Sequence, residues 1–249
     1  LADILRPKSL TEFLGQAHLL QDNSAFFNLL KANRLISVIL WGPPGSGKTT
    51  LANLIANEAN SYFSELSAVN SGLKELRALV KQAEHRNETE GKQTILFIDE
   101  IHRYTKTQQD ALLPYLEKGT IYLIGATTEN PSFQVTPALL SRLQVITLKP
   151  HNNEDILKLT RRGYSYLMQE HGKITIDPEI GEFVTGHSSG DARYALNLVE
   201  NSYFAIDKEK QHLTLDIIES LVEKQFVKFS KDEHYDIASA FQKSIRGSA

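Results

Sequence analysis

The octapeptide Gly42-Pro43-Pro44-Gly45-Ser46-Gly47-Lys48-Thr49 restricts this chain to a small set of folds. It satisfies G-x-x-x-x-G-K-[ST], with the apolar run Ser37–Trp41 before it and helix-compatible residues 50–59 after it. Glycines let backbone N–H groups close around phosphate oxygens, and the amino end of the following helix adds partial positive charge. Pro44, Gly45, Ser46, Gly47, Lys48, Thr49 and Thr50 are therefore expected to cradle phosphates. Lys48 is placed to reach the β- and γ-phosphates, and the Thr49 hydroxyl to ligate Mg²⁺.

A strand, a phosphate loop and a helix in that order belong to a parallel α/β sheet, and the first 150 residues keep that alternation. Strands are expected at Ser37–Trp41, Tyr62–Leu66, Thr94–Ile98, Ile121–Ile124 and Gln144–Leu148. One intervening helix places Leu73, Leu76, Val80 and Ala83 on a single face. Another runs from about Lys106 to Glu117, with Pro114 expected to bend it or crowd its last turn. After Lys149-Pro150 the pattern turns helical: Glu154–Met168, Asp177–Thr185, Ala192–Ile206 and Thr214–Glu223. A boundary near 150 separates a nucleotide-binding domain (1–150) from a small all-α lid (151–223). Residues 224–249 read as a connection and the start of a last helix near Tyr235.

The second half of the candidate site is Ile95-Leu96-Phe97-Ile98-Asp99-Glu100. Four apolar residues make a buried strand, and Asp99 emerges at its carboxyl end, where it can hold the Mg²⁺ shell. Glu100 is placed to polarise a water against the γ-phosphate. Thr127, Thr128 and Asn130 close the next strand, where a hydroxyl can meet the γ-phosphate or the attacking water. A short helix follows with Thr136 as N-cap and Pro137 at its first position, and Arg142 stands at its far end. An arginine pointing away from its own loop suits insertion into a neighbouring subunit's site. In the lid, Gly190-Asp191 opens a helix whose first turn holds Arg193, able to fold back onto bound nucleotide.

Together these residues resemble an AAA+ ATPase: a parallel five-stranded sheet with helices on both faces, followed by the lid. Residues 42–49 resemble Walker A and residues 95–100 Walker B, while Thr128 resembles sensor 1, Arg142 the finger and Arg193 sensor 2. The resemblance implies a catalytic set of Lys48, Glu100, Thr128, Arg142 and Arg193, with ATP and Mg²⁺ held by Thr49 and Asp99. The opening segment resembles the adenine-side box of clamp loaders and branch-migration motors. By that similarity Arg6, Pro7, Phe13, Leu14 and Gly15 lie near the base. Ser67 resembles the small polar residue that restrains the catalytic glutamate until DNA or a partner arrives.

Longer runs narrow the resemblance. Residues 98–119, 123–142 and 232–248 are similar to the replication-associated recombination protein A family, whose eukaryotic relatives include the Werner-helicase-interacting ATPase. The family's Ser-Arg-Cys is Ser141-Arg142-Leu143 here, and its second arginine after Gly-Asp-Ala-Arg is Tyr194. The resemblance implies a DNA-dependent ATPase at stalled forks, gaps or duplex ends, a homo-oligomer, and a single-stranded-DNA-binding protein as a partner. A chain opening on Leu1, with Met168 its single methionine, is expected to be a fragment lacking the family's C-terminal oligomerisation region.

Composition sets the outer limits. With no cysteine among 249 residues, thiolate catalysis, disulfides and cysteine zinc sites are excluded. No apolar run approaches the ~18–20 residues of a membrane span, so no membrane role and a cytoplasmic location are expected, and the resemblance implies a bacterial, nucleoid-associated one. A net charge of −3 requires any DNA surface to be a local patch. Basic clusters stand at His102–Lys106, at Arg161-Arg162, and at Lys224, Lys228 and Lys231 with Phe226 and Phe229 interleaved. Two alternatives to fork maintenance remain open: a clamp-loader-type or branch-migration subunit, and a low-turnover nucleotide-gated scaffold.

Overall fold

A computed structural model of the chain describes residues 1–22, 24–32, 34–68, 72–206 and 211–223. Strands β1 (Val38–Trp41), β2 (Tyr62–Ser67), β3 (Thr94–Asp99), β4 (Tyr122–Thr127) and β5 (Gln144–Thr147) form one sheet in the order β2-β3-β4-β1-β5. Every pairing is parallel, so each link between neighbouring strands must cross over the sheet, and helices fill those crossovers. Chain order reverses at β1, which lies between β4 and β5. In open parallel sheets ligands bind at the carboxyl ends of strands beside such a reversal, and the Gly42–Thr49 loop leaves β1 at that point.

Alternation along the strands sorts the core onto two faces. Val38, Leu40, Ile95, Phe97, Ile124 and Ala126 point to the side covered by Leu51, Leu54 and Ile55 of the loop's helix, Lys48–Glu58. Ile39, Leu96, Ile98 and Leu123 point to the opposite side, against Leu76, Val80 and Ala83 of helix Leu73–Glu90. The 106–117 stretch is two helices, Lys106–Asp110 and Leu113–Glu117, not one bent helix. Pro114 opens the second of them, where its missing N–H leaves no bond unmade.

The chain divides into two compact units. The first joins residues 2–156 with 189–193, so the turn before helix Ala192–Phe204 belongs to the sheet unit. The second holds residues 157–188 and the described residues from 194 onward. It is helical, from the greater part of Asn153–His171 through Ile180–Ser188 and Ala192–Phe204 to a helix over 215–223. Between these runs one short parallel ladder, β6 (Thr175–Ile176) with β7 (His212–Leu213), adds strand to a unit expected to be all-α. Asp177 was expected to signal its own helix. Its carboxylate instead accepts from His212 Nε2 at 2.8 Å and from the Leu215 N–H at 3.2 Å, closing the ladder onto the next helix. Inside this unit the Tyr164 hydroxyl bonds Ser202 Oγ at 2.8 Å, and burial pushes its pKa to about 12. The expected connection at Lys224–Asp232, its Phe226 and Phe229, and the last helix near Tyr235 lie outside the described residues.

Candidate functional site

The phosphate loop is anchored at the sheet before it turns: the Gly42 N–H donates to Thr127 O of β4 at 3.2 Å. Gly45 and Gly47 take φ of +65° and +91°, the left-handed region that glycine enters at no steric cost. Space forbids side chains there as well. A Cβ on Gly47 would lie 2.7 Å from the Phe13 ring, and one on Gly45 only 1.9 Å from Asp191 Oδ1. Phe13 therefore braces the loop from below, which places one member of the expected adenine-side box.

Lys48 is 8% exposed, and its ammonium donates to Gly42 O at 2.7 Å and Pro43 O at 2.9 Å. Burial pushes its pKa below the ordinary lysine value, while Glu100 and then Asp99 pull it back up. Arg193 adds a downward push, which brings Lys48, Glu100, Asp99 and Arg193 into one field, without Arg142. Buried Ser46 donates to Pro43 O at 2.8 Å. Thr49 and Thr50 lie half-exposed in the first turn of the 11-residue helix, and Pro44 is exposed at the loop's crest.

Asp99 ends β3 with Ser67 directly across the ladder. Ser67 is thus in register with Asp99, one residue short of Glu100. Glu100 has φ of +51°, and its N–H donates to Asp99 Oδ1 at 3.1 Å. A non-glycine residue in that region costs on the order of 1 kcal/mol, and such strain gathers at functional sites. His102, in the short turn after Glu100, was expected in a basic surface cluster. Its side chain is 10% exposed and belongs to this site, while Arg103 and Lys106 are exposed. His102 Nδ1 stands 3.0 Å from Thr127 Oγ1 and 3.2 Å from Glu100 Oε2, and Nε2 stands 3.5 Å from Glu129 Oε1. At the end of β4, then, the hydroxyl that touches Glu100's partner is that of fully buried Thr127, whereas Thr128 is exposed. Asn130 is used as a cap, its side chain accepting from the Ser132 N–H.

Arg142 follows helix Pro137–Leu140, which Thr136 caps as expected. Its guanidinium pairs with Glu117 through Nε at 2.9 Å and through Nη2, and donates to Ala138 O at 2.7 Å. Gln144, two residues on, bonds Ser37 just before β1. Arg142 therefore lies near the amino end of β1, and the phosphate loop leaves the carboxyl end. The four residues of β1 between them span about 13 Å. It lines a groove of about 400 Å³ with Ile36, Ser37, Leu116, Glu117 and Gln144. Arg193 is set in the turn that seats on the loop, where the Ala192 N–H reaches Gly45 O at 3.4 Å.

On the expected adenine side, Gly15 has φ of +77°, and Pro7 and Leu14 are half-buried. Arg6 is turned to Asp3 at 2.7 Å. Two residues here escaped the sequence reading. Gln16, 5% exposed, clamps residue 149 with both amide atoms: Nε2 donates to Lys149 O at 2.6 Å and Oε1 accepts its N–H at 2.9 Å. His151, 8% exposed, packs against Gly15 and has no hydrogen-bond partner for Nδ1 among the described residues. No periodicity marks either, because each is buried by chain far away in sequence.

Comparison with known proteins agrees with this geometry. The family described as ATPase family associated with various cellular activities (AAA) matches residues 38–151, and an AAA C-terminal domain matches residues 169–246. The whole chain is 42% identical to replication-associated recombination protein A of Escherichia coli K12 and 43% identical to that of Coxiella burnetii. It is 39% identical to the ATPase WRNIP1 of Dictyostelium discoideum, covering 31% of that protein. The chain spans 57% of the length of each of the two bacterial relatives. Among solved structures, the RuvB Holliday junction branch migration motor of Thermotoga maritima superimposes with a TM-score of 0.70 at 28% identity, over 88% of this chain and 72% of that one.

Two outcomes follow from the packing. Gly45→Ala drives a methyl into Asp191 and is expected to weaken ATP binding at least about tenfold, roughly 1.4 kcal/mol. Unchanged affinity in a titration would contradict that. His151 loses its charge to burial, against opposition from Asp155, Asp191 and the Gly45 backbone, so its folded pKa lies below 6.5. The unfolded chain then takes up the proton first, and stability present above that value is lost as pH falls through the folded pKa. His151→Asn is expected to flatten the fall in melting temperature between about pH 7.5 and 5.5. An unaltered pH slope would contradict it.

Proposed function

This chain belongs to the AAA ATPases, in the replication-associated recombination protein A family, and we propose that it binds ATP with Mg²⁺ and hydrolyses it to drive remodelling at DNA ends, gaps or stalled forks. The observation that carries this reading is the shared field of Lys48, Glu100 and Asp99 at the carboxyl ends of β1 and β3. A phosphate chain set in the loop meets backbone N–H groups of residues 45–49 and the amino end of helix Lys48–Glu58. Lys48 then exchanges the carbonyls of Gly42 and Pro43 for phosphate oxygens.

A hydroxyl and a carboxylate are the hard oxygen donors that Mg²⁺ takes, and Thr49 and Asp99 supply them. The ion would neutralise charge on the β- and γ-phosphates. Glu100 orients the attacking water, Thr128 holds it or the γ-phosphate from the bend just after β4, and Arg193 reports the nucleotide to the helical segment we take as a lid, 151–223. Arg142, set on the far side of β1 from its own loop, acts on the nucleotide of a neighbouring copy in a homo-oligomer. DNA, with a single-stranded-DNA-binding protein as a further partner, meets local basic patches, since the net charge is −3. Arg103, Lys106, Arg161 and Arg162 are exposed and available for this. No helix among the described residues is long and apolar enough to cross a membrane.

The test is ATP turnover by the full-length protein with forks, gapped duplexes and blunt ends. Stimulation by at least one of these DNAs is expected. Glu100→Gln is expected to keep ATP affinity while turnover falls by about 10²–10⁴, the worth of a positioned base. Steady low turnover, indifferent to DNA and to Glu100→Gln, would support a nucleotide-gated scaffold instead.

A further inference from the structure

Glu100 makes one contact that the nucleotide chemistry above does not use. Its carboxylate lies 3.2 Å from His102 Nδ1, and the same nitrogen lies 3.0 Å from Thr127 Oγ1. Thr127 Oγ1 donates to Glu129 O at 3.3 Å and accepts the Glu129 N–H at 3.0 Å. What it has left for His102 is a lone pair, and a carboxylate also only accepts. On that assignment Nδ1 donates to Thr127 Oγ1 and stands at ion-pair distance from the Glu100 carboxylate. Thr127 is fully buried, pairs with Trp41 in the β1–β4 ladder, and its carbonyl accepts the Gly42 N–H. A series of bonds thus runs from the root of the phosphate loop through Thr127 to His102, whose Nδ1 edge faces the Glu100 carboxylate.

We propose that His102 is a positioning residue for Glu100, its ring fixed by Thr127 and its Nδ1 edge holding the carboxylate by close contact in register with the end of β4 and the phosphate loop. The inference rests on the reading of Glu100 as the residue that orients water. His102 acts through Glu100 and is not itself expected to touch ATP. Because the side chain is 10% exposed, water competes little for its bonds.

Replacements that separate the hydrogen bond from packing provide the test, made in the full-length protein. His102→Asn puts an amide N–H near the position of Nδ1, whereas His102→Gln fills more of the ring's volume but places its amide nearer Nε2. Positioning predicts that His102→Gln and His102→Ala lower kcat by roughly 10- to 100-fold, the effect of an error of about 1 Å, with ATP affinity unchanged. His102→Asn is expected to recover most of kcat. Equal or better activity in His102→Gln would show that the ring only packs, and would overturn the proposal. Should these variants fail to fold, Thr127→Val and Thr127→Ser ask the same question from the other partner. Only the loss of the hydroxyl should lower kcat, and equal rates would overturn the proposal. Glu100→Gln in parallel separates the two claims. If it turns over ATP normally, the reading of Glu100 fails. If it is inactive while His102→Asn is no better than His102→Gln, the positioning inference alone fails.

Discussion

An ammonium group taken out of water is costly unless its hydrogens find acceptors and its charge finds opposite charge. Lys48 meets both needs with backbone it does not have to move: Gly42 O and Pro43 O accept its protons, and Glu100 and Asp99 set the field. Those carbonyls stay in place because Gly42 is bonded to Thr127 at the end of β4. The acidic pair stays in place because β3 is buried from Thr94 through Ile98. Sheet order, core and site thus depend on one requirement, that a buried cation face phosphate-binding backbone. A substrate carrying several negative charges relieves that cost on binding, which gives the loop its affinity for polyphosphate.

The sheet was largely legible because parallel strands are buried on both faces and appear as short apolar runs. The five expected strands fall within three residues of the observed ends. The largest shift is at β4, which runs on to Thr127 through Gly125 and Ala126, small residues that do not look like strand. A two-residue ladder such as β6–β7 is too short for any period to show. Pro114 was read for what it forbids inside a helix, when its use here is to begin one.

The phosphate loop and the acidic pair were legible for a different reason: their chemistry needs contiguous residues at fixed spacing. Residues that close the site over long sequence separation were not. Gln16 and Lys149 are 133 positions apart, and the bond of His102 to Thr127 spans 25. Choosing between Thr127 and Thr128 needs the exact strand end, because adjacent strand residues face opposite ways. His102 stands in a basic run just after the acidic pair, so the sequence leaves open both a surface cluster and a ring linking the site to the next helix. Three polar atoms around the ring account for its burial. Arg142 pairs with its own Glu117 at the surface, an exposed pair worth at most about 1 kcal/mol. Such a contact gives way readily to a phosphate on another molecule.

The central claim is that one copy's phosphate loop works with another copy's arginine. Mixing two full-length variants tests this most directly. Lys48→Ala lacks a working loop but presents Arg142, and Arg142→Ala presents an intact loop without the finger. Each alone is expected to be nearly inactive in DNA-stimulated ATP turnover, and the mixture to regain turnover as mixed assemblies form. A mixture no more active than the sum of its parts, or an Arg142→Ala protein that turns over ATP at the wild-type rate, would contradict the account.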